Sequence, residues 1–162
     1  MNCGNLTKIT QNRITLELDS CIYFFELLSK NEELLYNQKF NSNSKNNIEN
    51  SFSDFKINYY KKLNIDTDNS VAFKVQKNKL CKEYLKGICF VLNYYLYDIP
   101  DWYWYYPYHY SPFTYEVWKY FPDNLDFKFD YAPPLSSFEQ LICVLPPNKS
   151  TLLPEPLRPL MT

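Results

Sequence analysis

The segment from residue 100 to residue 113, PDWYWYYPYHYSPF, constrains the fold more than any other part of the chain. Eight of its fourteen residues are aromatic, three are proline, and it contains the only histidine, His109. Proline lacks an N–H, has a fixed φ and disfavours helical backbone in the residue before it, so a continuous helix cannot pass through this segment. The sequence therefore predicts an ordered, extended loop held by its rings. Three roles remain open for it: filling a core, stacking on bases or sugars, and docking another protein.

A long helix is predicted immediately before this loop, in residues 79 to 98, KLCKEYLKGICFVLNYYLYD. On a helical wheel of about 100° per residue, one arc is expected to face the core. That arc contains Cys81, Tyr84, Leu85, Ile88, Val91, Leu92 and Tyr95. The opposite side contains Lys79, Lys82, Lys86, Phe90 and Asn93. Lysines neutralise phosphates and an aromatic ring stacks on a base, so this side is a candidate nucleic-acid surface. The alternative is an ordinary solvated face whose ring is covered by another element.

The remaining segments are also mainly helical in pattern. Residues 15 to 36 have apolar side chains at helical spacing, with Thr15 as the predicted cap. Ser137 and Gln140 are predicted to form a capping box for a helix that ends at Pro146. Residues 125 to 135 are expected to be a short strand or an extended arm. The fold prediction is a mainly α-helical single domain, residues 1 to 162, with long ordered aromatic and proline-rich loops and little or no sheet.

Residues 37 to 54, NQKFNSNSKNNIENSFSD, are rich in asparagine and serine. Such a tract buries too little apolar surface to offset the entropy lost on ordering, so a disordered surface insertion is predicted. Deleting residues 41 to 52 is therefore expected to change stability little.

Composition excludes several classes of function. The 162 residues have a net charge of −1, so nucleic-acid binding would rest on a local patch. The two glycines form neither a dinucleotide-binding fingerprint nor a P-loop. No apolar run of about 18 residues is present, so no membrane segment is predicted, and the N-terminus lacks the apolar core of a signal peptide.

The five cysteines argue for an intracellular protein. None belongs to a Cys-x-x-Cys pair, and His109 is far from all of them in sequence, which argues against zinc. An odd number of cysteines without a secretion signal is typical of reduced thiols.

Several long sequence words resemble the second conserved region of the XRN family of 5′→3′ exoribonucleases. The resemblance covers residues 80 to 161, in the words YLKGICFVLNYYLYDIPDWYWYYPYHYSPF and PPLSSFEQLICVLPPNKSTLLPEPLRPLM. Positions that match the family pattern are Tyr84, Gly87, Phe90, Val91, Leu92, Tyr94, Tyr95, Trp102, Trp104 to Tyr110, Pro112, Phe113, Phe138 to Leu141, Val144 to Pro146, Leu160 and Met161. Residues 14 to 30 and 54 to 63 match more loosely, and the chain has Phe90, Asp101 and Ser111 where the family has Trp, Ser and Ala.

The resemblance implies a helical module that braces a nuclease domain and contacts the 5′ end of single-stranded RNA. Phe90 occupies the position of a tryptophan that stacks on the terminal bases. The catalytic acidic cluster of the family, with its Mg²⁺, belongs to a region that precedes this one, so no catalytic residue, metal ligand or cofactor is expected in this chain. The expected partners are RNA and an XRN-type nuclease region on another chain, with no membrane. The location implied is intracellular, in cytoplasm or nucleus.

The resemblance also implies mainly packing roles for the aromatic segment. Its structural motif comprises Trp102, Trp104, Tyr105, Tyr106, Pro107, Tyr108, His109 and Tyr110. His109 is interpreted as a hydrogen-bonded structural residue, because no acid or nucleophile lies near it in sequence to make it a catalytic base. Two alternatives remain open: a non-catalytic interaction module derived from the family, or a truncated gene model.

Overall fold

The computed structural model describes residues 4–10, 13–41, 51–130 and 132–161. Its two strands are β1 (Thr7–Thr10) and β2 (Arg13–Leu16). Its α-helices are α1 (Leu18–Asn41), α2 (Phe52–Lys62), α3 (Ser70–Leu96), α4 (Thr114–Lys119) and α5 (Ser137–Val144). Two 3₁₀ helices follow, Pro147–Leu152 and Glu155–Met161. The prediction of a mainly α-helical fold is confirmed, since the only sheet among the described residues is one hairpin.

The hairpin corrects the predicted start of the first helix. Thr15 lies in β2, opposite Lys8 of β1, and α1 begins only at Leu18. Alternation explains the strand, because Ile14 and Leu16 are buried whereas Arg13 is exposed. A capping threonine was therefore the wrong interpretation of Thr15.

The boundaries of the predicted disordered tract also change. Helix α1 continues to Asn41, and α2 begins at Phe52 with Ser51 as its cap. The two ends of the 37 to 54 tract are therefore helical, which the asparagine-rich composition did not indicate. Residues 42 to 50 lie outside the described residues, and disorder there stays a prediction.

Contacts divide the chain into two compact units. One contains residues up to Pro100 together with Tyr105–Lys128, and the other contains Asp101–Trp104 with the residues from Phe129 onwards. The prediction of a single domain stays a prediction.

In the first unit, α1 packs on α4, and α3 packs on β2 and α4. A core cluster of Tyr60, Leu63, Ile65 and Leu80 lies where α2 and the turn after it meet α3. The turn contains Asn64, whose φ of 56° is in the left-handed region that asparagine tolerates. These contacts fix α3, which carries the candidate surface.

In the second unit, the capping box of α5 lies one residue earlier in the sequence than predicted. Ser136 is the cap and Glu139 is its partner, instead of Ser137 and Gln140. The Glu139 carboxylate accepts hydrogen bonds from the Ser136 N–H at 2.8 Å and from its hydroxyl at 2.7 Å. A carboxylate is the stronger acceptor, which explains the choice. The predicted helix end before Pro146 is confirmed, whereas the described residues of the 125 to 135 segment form no strand.

No helix in the described part of the chain is both long enough and apolar enough to span a membrane.

Candidate nucleic-acid interface

Helix α3 is anchored at its start by Asn69. The side-chain oxygen of Asn69 accepts hydrogen bonds from the N–H groups of Val71 and Ala72, both at 3.1 Å. These are two of the N–H groups that a helix leaves without partners at its first turn. The Asn69 cap therefore fixes where this 27-residue helix begins.

The buried side of α3 follows a row of residues spaced by four. Cys81, Leu85, Cys89 and Asn93 are all buried. Four residues turn a helix by about 400°, so such a row rotates by about 40° at each step. The prediction assumed that the same arc of the helical wheel faces the core along the whole helix. It is consequently wrong at the C-terminal end, where Val91 and Tyr95 are exposed, Tyr95 by 77%.

Asn93 was predicted on the nucleic-acid surface and is instead 6% exposed. Its Oδ1 accepts a hydrogen bond from the Ile14 N–H at 2.9 Å. Its Nδ2 donates to the carbonyls of Ile14 and Cys89, both at 2.8 Å. The amide thus joins the edge of β2 to α3, and its placement with the lysines is corrected.

The other four predicted residues do share one side of α3. Lys79, Lys82, Lys86 and Phe90 lie within an arc of about 80° on the wheel. Lys79 and Lys82 are exposed, whereas Lys86 and Phe90 are half-buried. We call these four residues the α3 lysine face. Glu83 is an acidic residue close to this arc. Its single negative charge is outweighed by the three lysines, so the net charge on this side of α3 is positive.

The aromatic segment borders α3 in the first unit. The rings of Tyr84 and Tyr106 are 6.2 Å apart in edge-to-face geometry, and Tyr106 also contacts Tyr108 at 5.6 Å. Burial of the Tyr106 and Tyr108 phenols raises the pKa of both, and the Glu83 carboxylate raises that of Tyr108 further. Both phenols are therefore neutral at ordinary pH.

Exposure alternates along this segment, as expected for an extended chain. Tyr106 and Tyr108 are half-buried, whereas Tyr105, Pro107 and His109 are exposed. The packing role implied for the motif thus applies to part of it. Tyr105 is 74% exposed and Tyr110 is 51% exposed, and Trp102 of the second unit is also exposed. His109 has an exposed side chain, so its structural interpretation stays a prediction.

Asp101 organises the start of the aromatic segment in the second unit. The carboxylate is buried, and its Oδ1 accepts hydrogen bonds from the N–H groups of Tyr103 and Trp104 at 2.9 and 3.0 Å. Its Oδ2 accepts from the Asp130 N–H at 3.0 Å. Trp104 packs edge-to-face on Phe129. The aspartate therefore replaces the serine of the family pattern with a side chain that holds three N–H groups.

A buried ion cluster in the first unit had no signal in the sequence. Glu116 is 3% exposed, and its Oε1 lies 3.0 Å from the Lys56 ammonium and 3.7 Å from that of Lys77. Lys77 lies over the Phe73 ring, at 4.1 Å from its centroid. Burial lowers the pKa of Lys77, while Glu116 raises it. The cluster joins α2, α3 and α4, and only their packing brings these residues together.

A second carboxylate that connects two helices is Glu32 of α1. Its Oε1 accepts hydrogen bonds from the N–H and hydroxyl of Thr114, at 2.6 and 2.8 Å, and its Oε2 accepts from the Tyr115 N–H at 3.2 Å. Because α4 has no side-chain cap of its own, Glu32 supplies one from another helix.

The two buried thiols of α3, Cys81 and Cys89, have a structural role. Burial raises the pKa of Cys81 to about 12 and that of Cys89 to about 11. Thiols with such values remain protonated at neutral pH and are poor nucleophiles or metal ligands.

The described residues do not fit a divalent metal ion. Among them, no group of three or more His, Cys, Asp or Glu side chains is arranged to hold one. The carboxylates of Asp101, Glu116 and Glu32 are each engaged by N–H groups or ammonium groups of the protein.

Comparison with known proteins identifies the family. The family model described as "Xrn1 helical domain" matches residues 7–162. The chain belongs to this family. The XRN-like sequence segments therefore lie within this domain. The match also includes β1, β2 and α1, where the resemblance in sequence was looser.

Curated 5'-3' exoribonucleases are similar to between about half and two thirds of the chain. "5'-3' exoribonuclease 2" of Schizosaccharomyces pombe is 40% identical over 106 residues, covering 64% of this chain and 10% of the relative. "5'-3' exoribonuclease 1" of Saccharomyces cerevisiae is 38% identical over 103 residues, covering 64% and 6%. "5'-3' exoribonuclease 2" of Cryptococcus neoformans is 43% identical over 86 residues, covering 52% and 7%. The matched part of the chain thus spans a tenth or less of each of these relatives.

Proposed function

We propose that this chain is the RNA-contacting helical module of a 5′→3′ exoribonuclease and supplies no catalytic residue itself. The observation that carries the proposal is the α3 lysine face, in a chain of the XRN helical-domain family. Three ammonium groups and one ring on one side of a helix match the two needs of single-stranded RNA, namely phosphate neutralisation and base stacking.

In this proposal the residues of the α3 lysine face have separate roles. Lys79 and Lys82 are exposed and attract the backbone phosphates. Phe90 is half-buried, so one part of its ring packs on the protein and the rest is available to a base. Lys86 lies between Lys82 and Phe90, both in the sequence and in angle around the helix. Asn93 is left out, because its amide oxygen and nitrogen are engaged by backbone groups.

The proposal also concerns location and cofactor. We propose that Mg²⁺ is bound by a nuclease region elsewhere in the enzyme, and that the protein works inside the cell, in nucleus or cytoplasm. Cys21, Cys81 and Cys89 support the second point, since they are buried free thiols.

The test is fluorescence anisotropy with a short 5′-monophosphorylated single-stranded RNA at several salt concentrations. Lys86→Ala is expected to weaken binding and to reduce the salt dependence by about one counterion. Phe90→Ala is expected to weaken binding by about 1–3 kcal/mol with a nearly unchanged salt slope. Phe90→Trp is expected to restore or improve binding, because indole offers a larger stacking area.

Lys74→Ala is the matched control. Lys74 is an exposed lysine of α3 that lies about 120° around the helix from Lys86. The Lys74→Ala variant should bind RNA as the wild type does. Thermal unfolding of each variant separates lost binding from lost folding. Normal folding together with unchanged RNA affinity in both Lys86→Ala and Phe90→Ala would contradict the proposal.

A second candidate function is protein docking, favoured by the exposed apolar side chains of the first unit. On α1 these are Leu27, Leu28, Leu34 and Leu35, and on the end of α3 they are Val91, Tyr94, Tyr95 and Leu96. Contiguous exposed apolar surface is typical of interfaces. An XRN-type nuclease region, in the same or another chain, is the partner we propose for it. In that case Leu35→Asp or Tyr95→Asp would abolish association with the nuclease region and leave RNA affinity of the isolated chain unchanged.

A further inference from the structure

A small groove lies between α2 and the aromatic segment, and none of its lining residues belongs to the α3 lysine face. Its volume is about 210 Å³, and it is lined by Phe55, Asn58, Tyr59, Lys62 and Tyr110. The first four have the spacing i, i+3, i+4 and i+7 on α2, so they form one side of the helix. Tyr110 closes the groove from the aromatic segment. We call these five residues the α2 groove.

The walls of the α2 groove are aromatic rings held in place by other contacts. The Tyr59 ring is 5.8 Å from the Tyr110 ring and 6.4 Å from the Phe55 ring. The Tyr59 hydroxyl donates to the Ser111 carbonyl at 2.6 Å, and the Tyr106 hydroxyl donates to the Tyr110 carbonyl at 2.9 Å. The carbonyls of Tyr110 and of the next residue, Ser111, are therefore held by hydrogen bonds, while the Tyr110 ring remains half-exposed.

Among the described residues that line the α2 groove, the one charged side chain is positive. Lys62 is exposed and contributes an ammonium group, and Asn58 contributes an exposed amide with both donors and an acceptor. The described residues that line the groove include no carboxylate. A ligand that fits is flat enough to lie on tyrosine rings, has hydrogen-bonding groups at its edge and is negatively charged.

We propose that the α2 groove binds one nucleotide of single-stranded RNA. The base lies against Tyr110 and Tyr59, the Asn58 amide contacts the base edge, and Lys62 neutralises the adjoining phosphate. This inference rests on the proposed RNA-binding function and adds a second contact point to it. It follows that RNA contacts two separated parts of the first unit, one on α3 and one on α2.

The charge of the groove favours RNA over a peptide. Aromatic grooves also bind proline-rich peptides, through rings and hydrogen bonds to a neutral backbone. Such peptides carry no obligatory negative charge, whereas every RNA nucleotide brings a phosphate for Lys62. Stacking on a tyrosine is also tolerant of base identity, as required of an enzyme family that degrades RNA along its length.

The chain offers two closely matched pairs of variants. Tyr110→Ala removes a ring of the groove, and Tyr105→Ala removes an exposed ring of the same segment that does not line it. Lys62→Ala removes the cation of the groove, and Lys61→Ala removes the preceding lysine, which is also exposed and does not line it. The conservative variant Tyr110→Phe retains the stacking surface.

Binding of a short oligouridylate is measured by anisotropy for each variant. Tyr110→Ala is expected to weaken binding about tenfold, with Tyr110→Phe and Tyr105→Ala close to wild type. Lys62→Ala is expected to reduce the salt slope by about one, and Lys61→Ala to change it less. Photocrosslinking of a 4-thiouridine oligonucleotide, mapped by mass spectrometry, is expected to label the peptides that contain Tyr59 or Tyr110.

The outcomes separate this inference from the proposed function. If folded Tyr110→Ala and Lys62→Ala bind as their controls do, and crosslinks avoid both peptides, the groove inference is overturned while the effect of Phe90→Ala still supports the proposed function. If the wild-type chain binds no RNA, both are overturned. If a proline-rich peptide binds in a Tyr110-dependent way and RNA does not, the groove is a peptide site and the inference is overturned.

Discussion

At the scale of single residues, the buried carboxylate of Glu116 has a testable consequence for stability. Its Oε1 lies near two ammonium groups, and in the described part of the chain its buried Oε2 has no hydrogen-bond partner. An incompletely satisfied carboxylate is tolerable here because two cations oppose its charge. Lys56 and Lys77 in turn lie over several rings, and the cation–π attraction offsets part of the cost of their lost hydration.

Replacing Glu116 by alanine is therefore expected to destabilise the chain by about 2–3 kcal/mol. Removing one partner of a fully buried pair costs about 3–5 kcal/mol, and the smaller value reflects the partial exposure of both lysines. Urea unfolding at neutral pH measures the change. Glu33→Ala, at an exposed glutamate of α1, serves as the control and should leave stability within about 0.5 kcal/mol. Equal stability of Glu116→Ala and wild type would show that the cluster contributes nothing.

At the scale of elements, the start of α2 shows how a polar tract ends in a packed helix. The Ser51 hydroxyl accepts from the Asp54 N–H at 3.2 Å, and the Asp54 carboxylate accepts from the Ser51 N–H at 3.2 Å. The next residue, Phe52, packs on Tyr36 at 4.9 Å and on Phe113 at 5.9 Å. The capping box and one ring thus fix α2 against α1 and the residue before α4.

This geometry reverses the expectation for deleting residues 41 to 52. That deletion removes both the cap and the Phe52 ring, with an expected loss of about 2–3 kcal/mol. For a chain of this size the melting temperature should fall by roughly 5–10 °C. Deleting only residues 42 to 50 retains Ser51 and Phe52 and is expected to cost much less, because the closing entropy changes slowly with loop length. Similar melting temperatures for the two deletions would contradict the role of the α2 start.

At the scale of the whole molecule, the prediction concerns catalysis. Purified alone with Mg²⁺, the chain is expected to leave 5′-monophosphorylated RNA intact, because its described residues contain no group suited to hold a metal ion. Denaturing gel electrophoresis of a labelled RNA measures this, with full-length 5'-3' exoribonuclease 2 of Schizosaccharomyces pombe as the positive control. Directional 5′→3′ decay that persists through further purification would contradict the proposal of a non-catalytic module.

Local sequence was sufficient to predict the helical class, the helix before Pro100 and the extended aromatic loop. Each depends on interactions between residues a few positions apart: periodic apolar side chains, and prolines without an N–H. A capping box for α5 was also predicted, but at Ser137 and Gln140, one residue later than the observed Ser136 and Glu139. The alternation of exposure from Tyr105 to His109 is also a local property of an extended backbone.

Tertiary structure alone decided the roles of Asn93, Glu116 and Tyr110. Asn93 bonds to Ile14, 79 residues earlier, and Glu116 pairs with Lys56 of another helix. Tyr110 forms a groove with Tyr59 only because its segment folds back along α2. A periodic pattern records which residues share a side of a helix, but not the angle at which that helix crosses its neighbours. Over the 27 residues of α3, that angle determined whether an amide faced solvent or a strand.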